Sequence, residues 1–493
     1  MVNFEGKIFI LGCGGVAQCT IPILLKLLEI SPSKITVMDF CDQRARVREA
    51  LDAGVHYVVE KVTPENYQSV LSHYLSKGDL FIDLSWNVET LPVIDWCHQN
   101  GVLYVNTSVE LWEPYQDAEN KSPTELTLYH RQMALRRLAT SWGRKDGPTA
   151  ILDHGANPGL VSHFTKQALI DIGNAVIADS PKNARSEEIK QAIASKQFGL
   201  LAYLLGVKTI HISERDSQVT NRPKERNEFV NTWSIPGLIE EGIAPAELGW
   251  GTHEYLIPRG AMFHEEGPKN QICLPQKGMK TWVRSWVPSG EMTGMVIRHG
   301  EAFSISDYLT VEDNGKIIYR PTVHYAYCPC DSAINSLHEI EMRHYEPQTK
   351  QRILSDDIIK GEDELGCLLM GHDKKAWWIG SVLSIEEARQ LVPGQNATTV
   401  QVAIGVVAAA IYAIRHPNKG LCLPDQLDHE EILEIAMPYL GRFISMPVDW
   451  SPLDNAEAFL DYNELPPNTE EMWQFSTFLI SPKEIEEEVS ISL

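Results

Sequence analysis

A glycine-rich segment near the start of the chain has the spacing of a dinucleotide-binding turn. It comprises Gly12, Cys13, Gly14, Gly15, Val16 and Ala17. The first glycine permits a tight turn, the second lets a pyrophosphate approach the backbone, and the small last residue lets the following helix pack closely on the strand. The start of that helix supplies unpaired N–H groups and a favourable dipole for phosphates. We therefore predict that Gly12, Gly14, Gly15, Val16 and Ala17 bind the cofactor.

An acidic residue, Asp39, follows the middle glycine after about 25 residues, at the end of the next apolar run. A carboxylate at this place accepts hydrogen bonds from the adenosine ribose and repels a 2′-phosphate, which favours NAD over NADP. Ser85, Asn106 and Thr107 follow later apolar runs. Because the carboxyl ends of parallel strands face the ligand crevice, we expect these three residues to line the NAD site. A Rossmann-like fold with another nucleotide, or with none, is the alternative.

The elements that position these residues alternate between strand and helix. Apolar runs predict strands at residues 7–11, 35–38, 57–59, 80–83, 103–105 and 149–152. This alternation is typical of a parallel sheet covered by helices on both faces. Pro22 lies inside the first helical pattern and predicts a kink or a shifted helix start.

Beyond residue 150 the pattern changes. Residues 205–330 are rich in Gly, Trp and Thr and are typical of strands and irregular loops, whereas residues 397–415 predict a long helix. We predict an α/β fold in three parts. These are an N-terminal Rossmann domain with a parallel sheet (1–150), a second α+β substrate domain with a mixed sheet (151–395), and a C-terminal helical segment that packs on both (396–493).

The net charge of the chain indicates which classes of molecule the protein can bind. The chain has 493 residues and a net charge of −23. An acidic surface disfavours nucleic acid, because phosphate binding needs a basic patch. It attracts small cations, although solubility alone also accounts for such a charge.

The cysteines and the longest apolar stretch indicate the cellular compartment in which we expect the protein. The chain has nine cysteines, and the closest pair, Cys328 and Cys330, is spaced too tightly for a zinc site. We interpret them as reduced cytosolic thiols and predict no metal site. The N-terminus has no secretory signal pattern, and the apolar stretch 400–412 is too short to span a bilayer. A cytoplasmic enzyme without a membrane partner is the expectation.

Nine segments carry a family resemblance that runs over nearly the whole chain. Four resemble the saccharopine dehydrogenase superfamily, namely GCGGVA (12–17), LSWNVE (84–89), NTSVELWEPY (106–115) and HGANPG (154–159). Five are similar to the bacterial homospermidine synthases within it, namely HISERDSQ (211–218), NTWSIPGLIEE (231–241), VIRHGE (296–301), RPTVHYAYCPCD (320–331) and GEDELG (361–366).

The resemblance implies a redox-neutral transfer of an aminobutyl group. In this family two putrescine molecules, or spermidine and putrescine, are joined into sym-homospermidine, with release of ammonia or 1,3-diaminopropane. An amine carbon is oxidised to an imine, the amines exchange, and the imine is reduced again, so NAD is regenerated. The expected partners are small cationic polyamines, and the superfamily makes a homodimer the expected assembly.

The resemblance also places a site on eight residues. The implied catalytic residues are Glu110, Asn157, Trp233 and His299, and the implied substrate-binding residues are Asn87, Glu214, Glu241 and Asp363. Glu214 and Glu241 are expected to bind ammonium groups, and His299 or Glu110 to move protons. Trp233 is expected to stabilise a cation through its aromatic face, worth about 0.5–2 kcal/mol. Asn157 is expected to orient the nicotinamide carboxamide or the substrate amine. At Asn87 some relatives are expected to carry an acid.

Each of these residues also has an ordinary structural interpretation. Glu214 could be a surface charge paired with Arg215, Trp233 a core residue, and Glu241 an acid near a helix start. His299 could be a hydrogen-bonded structural histidine, and Asp363 could lie in an acidic turn.

Two other functions fit parts of the pattern. A saccharopine or carboxynorspermidine dehydrogenase would bind carboxylates and need arginines in the site, whereas only Arg215 and Arg298 lie near the candidate residues. A non-catalytic NAD-binding regulator would turn over no amine.

Overall fold

The computed structural model describes residues 2–114, 116–143, 146–459 and 467–480. Among these, seven strands form an all-parallel sheet near the N-terminus, as predicted. In spatial order they are Leu421–Cys422, Ala150–Ile151, Leu103–Asn106, Leu80–Asp83, Ile8–Leu11, Ile35–Asp39 and His56–Val59. The sheet is parallel because helices connect its consecutive strands, and its central strands are buried on both faces.

Helices cover this sheet at Gly15–Leu27, Arg48–Asp52, Tyr67–Tyr74, Thr90–Asn100 and Leu128–Ser141. The expectation of a shifted helix start at Pro22 is wrong, because the first helix begins at Gly15 and continues through the proline. Its flanking residues Ile21 and Ile23 are fully buried, and the helix packs against Ala397–Arg415. Tertiary packing thus outweighs the backbone hydrogen bond that the proline removes.

A second, mixed sheet carries most of the remaining strands. Ten strands of the described chain belong to it. Eight follow one another in the order Met262–Phe263, Gln271–Lys277, Pro245–Gly249, Thr322–Cys328, Thr209–Asp216, Glu362–His372, Lys375–Ser384 and Arg442–Val448, and the hairpin Trp282–Val287 and Gly290–Met295 joins at Thr322–Cys328. Thr322–Cys328 runs parallel to Thr209–Asp216, whereas the other pairings are antiparallel.

Short two-stranded ladders and helices complete the second domain. The ladders pair Val219–Thr220 with Ile358–Lys360, Glu228–Asn231 with Lys350–Ile353, and Val311–Asp313 with Lys316–Tyr319, whereas a further ladder of Val2–Asn3 with Leu28–Glu29 lies in the Rossmann domain. The helices are Leu160–Asp179, Ala184–Ala194, Phe198–Leu205, Ile235–Ile243, Gly300–Tyr308, Asp331–Met342 and Ile385–Leu391.

The expectation that residues 205–330 hold only strands and loops is wrong at two places. Helices Ile235–Ile243 and Gly300–Tyr308 lie there, each nine residues long. The first is started by Ser234, whose side chain accepts a hydrogen bond from the N–H of Gly237. Helices of this length repeat their apolar pattern too few times to stand out in a sequence.

The C-terminal segment, predicted as helical, also contributes a strand to each sheet. Its helices are Ala397–Arg415, His429–Ala436 and Phe475–Phe478, but Leu421–Cys422 extends the Rossmann sheet and Arg442–Val448 the mixed sheet. It is therefore woven into both domains and is not a separate helical layer.

Helix Ala397–Arg415 is, by length and composition, long enough to cross a membrane, so the expectation that this stretch is too short is wrong. The helix is instead a core element of the described chain, since 89% of its most apolar window is buried. Gly405 in its middle allows close packing, because a Cβ there would lie 2.1 Å from the carbonyl oxygen of Gly155. This approach fixes the segment that leads to Asn157.

Candidate active site

The glycine-rich turn has the shape of a pyrophosphate cradle. Gly12 adopts a φ of +89°, and a side chain there would collide with the backbone of Leu84. A Cβ at Gly14, in contrast, would meet no described atom within 4 Å. Gly14 caps helix Gly15–Leu27 without any side-chain hydrogen bond, so no side chain competes for the first-turn N–H groups. These features fit a dinucleotide phosphate.

Asp39 supports this cradle from the neighbouring strand. Its carboxylate accepts hydrogen bonds from the N–H of Cys13, at 2.6 Å, and from the N–H of Cys41, at 2.7 Å. The carboxylate therefore holds the glycine-rich turn from the end of strand Ile35–Asp39. Its role toward the adenosine ribose stays a prediction.

Two predicted cofactor residues have their polar atoms engaged by the protein. The Ser85 hydroxyl donates to Asp83 at 2.5 Å. The Asn106 amide donates to the carbonyl oxygen of Ser108, and its oxygen accepts from the N–H of Asp153 at 2.9 Å. Asn106 is buried, and its side chain positions Asp153, while its predicted contact with the cofactor stays a prediction. Thr107 is partly exposed beside it.

Glu214 lies on the mixed sheet, in contact with the segment that follows the Rossmann sheet. The Asn157 amide donates to its Oε2 at 2.8 Å, and the Tyr325 hydroxyl donates to the same oxygen. Glu214 belongs to the central strand Thr209–Asp216 and is buried, so its interpretation as a surface charge is wrong. Burial raises its pKa to about 7, although both hydrogen bonds favour the ionised form.

Asp363 lies beside this carboxylate, on the adjacent strand Glu362–His372 and not in a turn. It pairs in register with Asp216, two residues from Glu214 on the same face of the sheet. Thr398 donates to its Oδ2 at 2.5 Å, whereas its buried Oδ1 has no hydrogen-bond partner in the described ranges. Burial and the charge of Glu214 raise its pKa well above the ordinary value.

Aromatic side chains form one wall of this acidic region. Trp233 is partly exposed, and its indole N–H donates to the Tyr327 hydroxyl at 2.9 Å. The rings of Tyr325 and Tyr327 stack with centroids 5.2 Å apart. Trp233 is therefore attached to the site by its polar edge and is not an ordinary core residue.

His299 bridges two carboxylates. Its Nε2 lies 3.0 Å from Oε2 of Glu241, and its Nδ1 lies 3.2 Å from Oε1 of Glu301. The imidazole also contacts the Tyr325 ring, with centroids 4.2 Å apart. Burial alone would lower the pKa of His299, but the carboxylates of Glu241 and Glu301 outweigh it and hold the pKa well above its ordinary value.

Glu110 and Asn87 meet at the Rossmann side of the site. Ser108 donates to Oε1 of Glu110 at 2.6 Å, while Oε2 is buried without a partner in the described chain. Burial raises the pKa of Glu110 to about 7, and the charge of Glu240 adds to the shift. Asn87 adopts a φ of +58°, and its backbone, which faces the Glu110 carboxylate, favours the ionised form of that group.

The arginines near the site are bound to another acid. Glu240 accepts from Arg131 at 2.7 Å and from Arg298, and all three side chains are buried. Despite its burial, the two guanidinium groups lower the pKa of Glu240. Glu240 is thus paired with two arginines, whereas its neighbour Glu241 faces His299.

The fold brings four further residues to the site that are not predicted from the sequence, namely Asp153, Glu301, Tyr325 and Tyr327. The tyrosines alternate along an apolar run, which places both on one face of a strand, and Glu301 follows His299 by two residues. These patterns are visible in the sequence, but only the sheet register shows where they face. Within the described residues no group of three or more His, Cys, Asp or Glu side chains could hold a metal ion.

Known protein families and structures match this chain over both of its domains. The profile of the saccharopine dehydrogenase NADP binding domain matches residues 8–151, and that of the saccharopine dehydrogenase C-terminal domain matches residues 155–448. Homospermidine synthases of Blastochloris viridis and Mesorhizobium japonicum are each 38% identical over 97% of this chain, and the alignments cover 98% and 97% of those proteins. The crystal structure of homospermidine synthase from Legionella pneumophila in complex with NAD superposes with a TM-score of 0.84 at 38% identity, covering 97% of this chain and 98% of that one.

Proposed function

The chain belongs to the homospermidine synthase family of the saccharopine dehydrogenase superfamily, and we propose that it joins two putrescine molecules into sym-homospermidine with release of ammonia. Spermidine is the proposed alternative aminobutyl donor, which releases 1,3-diaminopropane instead. One observation carries the proposal, namely the buried carboxylate oxygens of Asp363 and Glu110 that no described protein group satisfies. A diammonium substrate supplies the missing charge and donors.

NAD is the cofactor of this family reaction, and the cradle of Gly12, Gly14 and Gly15 fits its pyrophosphate. When bound, NAD supplies reversible hydride acceptance, so an amine can pass through an imine without net oxidation. Asp39 keeps the glycine-rich turn in place and disfavours a 2′-phosphate by its charge. The related protein that was solved in complex with NAD supports this choice of cofactor.

Glu214 is the proposed general base. A hydride leaves readily only from a neutral amine, so the reacting ammonium group must first lose a proton. With a pKa of about 7, Glu214 is about half ionised at neutral pH, and its ionised form is basic enough to take that proton. It returns the proton to the departing ammonia after the second amine has added to the imine carbon. Asn157 and Tyr325 hold its carboxylate in place through their hydrogen bonds.

The remaining residues position the chain of the diamine. Asp363 and Glu110 each offer a carboxylate oxygen to an ammonium group. Trp233, fixed by Tyr327, offers an aromatic face to the cationic imine. Glu241 stays the proposed ligand of an ammonium group, shared with His299. Asn87 supports Glu110 through its backbone.

The alternative of a dehydrogenase for carboxylate-bearing substrates is disfavoured by the same charges. Such a substrate requires arginines that face it, whereas Arg131 and Arg298 are joined to Glu240. A non-catalytic NAD-binding regulator would need no buried base beside a cofactor cradle. Both alternatives predict no homospermidine.

We further propose a homodimer, a cytoplasmic location, and a boundary between the Rossmann domain and the second domain near residue 150. The match of the family profiles on either side of residues 152–154 supports this boundary. Sedimentation of the purified protein tests the dimer.

The decisive experiment incubates the purified protein with putrescine and NAD at a small fraction of the putrescine concentration. Mass spectrometry should detect homospermidine and ammonia in amounts far above the NAD present, without a steady rise in NADH absorbance. Glu214→Gln is the matched inactive variant. NADH accumulation in step with substrate consumption would overturn the proposal in favour of an ordinary dehydrogenase.

A further inference from the structure

His299 is enclosed by carboxylates on both of its ring nitrogens. Glu241 faces Nε2 and is 23% exposed, whereas Glu301 faces Nδ1 and is 1% exposed. The histidine caps helix Gly300–Tyr308, and Glu301 lies in the first turn of that helix. The outer carboxylate therefore meets the site, and the inner one is sealed in the protein.

The surroundings of His299 are acidic from every side. Glu241 comes from helix Ile235–Ile243, Glu301 from helix Gly300–Tyr308, and Asp153 from the end of the Rossmann sheet. Glu214 and Tyr325 face it from the mixed sheet. Asp153 packs so closely that a Cβ at Gly300 would lie 2.8 Å from its Oδ2.

Hydrogen-bond counting gives the charge of the histidine. A neutral imidazole has one N–H, so one of its nitrogens would present a lone pair to a carboxylate oxygen. Only the imidazolium donates to both Glu241 and Glu301. The second oxygen of Glu301 is buried without a partner among the described residues, and its first oxygen faces Nδ1 of His299.

We propose that Glu301 is a positioning residue for the reaction, which holds His299 as a doubly hydrogen-bonded imidazolium with Nε2–H directed at Glu241. The proposal rests on the function proposed above. It gives His299 a fixed positive charge beside the substrate rather than the role of general base. The positive charge of His299 lies between the carboxyl groups of Glu241, Glu301 and Asp153 and reduces their mutual repulsion. Proton transfer is then the role of Glu214.

The test is the titration of His299 in the full-length chain with ¹³Cε1-labelled histidines, the signal being assigned with His299→Asn. In the wild type, the His299 signal should stay protonated through neutral pH. In Glu301→Gln, which keeps the size and removes the charge, the titration should move down by about 1–3 pH units. The alkaline limb of kcat for putrescine should move down with it, while the affinity for NAD stays unchanged.

Glu254→Gln is the matched control, because Glu254 is another buried glutamate that accepts from Thr322 and from the N–H of Phe475 and lies against His253. It should leave the His299 signal in place. Glu301→Asp keeps the charge and should retain most of the wild-type titration, which also serves if Glu301→Gln does not fold. An unmoved His299 titration in folded Glu301→Gln, or an equal shift in Glu301→Asp, would overturn the proposal. The titration needs no turnover, so a wild type that makes no homospermidine refutes only the proposed function.

Discussion

The Asn157 amide donates a hydrogen bond of 2.8 Å to the Glu214 carboxylate, and this bond links the segment that follows the Rossmann sheet to the mixed sheet. Asn157 follows strand Ala150–Ile151 of the Rossmann sheet, whereas Glu214 lies on a central strand of the mixed sheet. A residue that lies just beyond the Rossmann sheet therefore orients the proposed base on the mixed sheet. This geometry ties the position of the base to the position of the cofactor crevice.

The first prediction concerns the pH dependence that follows from Glu214. Because its pKa is raised to about 7, the carboxylate is protonated below that pH and cannot take a proton from the substrate. We expect kcat/KM for putrescine to fall as the pH decreases through about 7. Tyr325→Phe removes a hydrogen bond that favours the ionised form, so it should move this acidic limb to higher pH.

Tyr319→Phe is the control for that shift, since the Tyr319 hydroxyl is also buried but donates to the carbonyl oxygen of Val207. The Tyr319→Phe variant should show the acidic limb of its kcat/KM profile at the same pH as the wild type. If Tyr325→Phe leaves the limb unmoved, or moves it to lower pH, Glu214 is not the group that titrates.

The second prediction concerns the cofactor cradle. Gly14→Val places a side chain where no described protein atom lies, so the variant should fold with wild-type thermal stability. The same side chain occupies the pyrophosphate position, and NAD affinity measured by calorimetry should fall at least about 10-fold, or about 1.4 kcal/mol. Gly12→Ala should instead destabilise the fold, because its Cβ would approach the Leu84 carbonyl oxygen. Unchanged NAD affinity in Gly14→Val would remove this turn from the cofactor site.

The third prediction concerns cofactor choice. Asp39→Asn keeps an oxygen that can accept the N–H of Cys13 but removes the charge that repels a 2′-phosphate. We expect weaker binding of NAD and a smaller preference for NAD over NADP. Asp39→Ala also loses the bonds to Cys13 and Cys41, so it should lower NAD affinity further. Equal ratios of NAD and NADP affinity in the wild type and Asp39→Asn would contradict the assignment.

The sequence predicts the Rossmann sheet well because its strands are continuous apolar runs that end in sharp polar turns. Strand Leu80–Asp83 has the predicted bounds, and Leu103–Asn106 exceeds them by one residue. The strands that the C-terminal segment adds to both sheets were missed. They are paired by contacts that lie far apart in the sequence, and Leu421–Cys422 is only two residues long.

The site is predicted less completely. The resemblance indicates Glu214, Asp363 and His299, and the fold places them among buried acids and aromatic rings. Their contacts with Asn157, Thr398 and Glu301 depend on the sheet register and the helix ends, which residue spacing does not give. The roles of these residues remain predictions.

The last prediction separates two adjacent acids on helix Ile235–Ile243. Glu240 neutralises Arg131 and Arg298 in the interior, whereas Glu241 faces His299 and the site. Glu240→Gln leaves two buried guanidinium groups without their carboxylate, so the free energy of unfolding should fall by about 3–5 kcal/mol.

Glu241→Gln keeps the size of the side chain and removes a charge-assisted hydrogen bond worth about 1.5–3 kcal/mol, or roughly 10- to 150-fold in kcat/KM. Its thermal stability and its NAD affinity should stay close to the wild type, because its side chain is 23% exposed and lies in the second domain. Denaturation, calorimetry and steady-state kinetics on the two variants measure the contrast. Wild-type turnover in Glu241→Gln would show that the reaction does not use this carboxylate. A loss of NAD binding in step with activity would make Glu241 a structural support, and Glu214 and Asp363 would then have to bind the diamine without it.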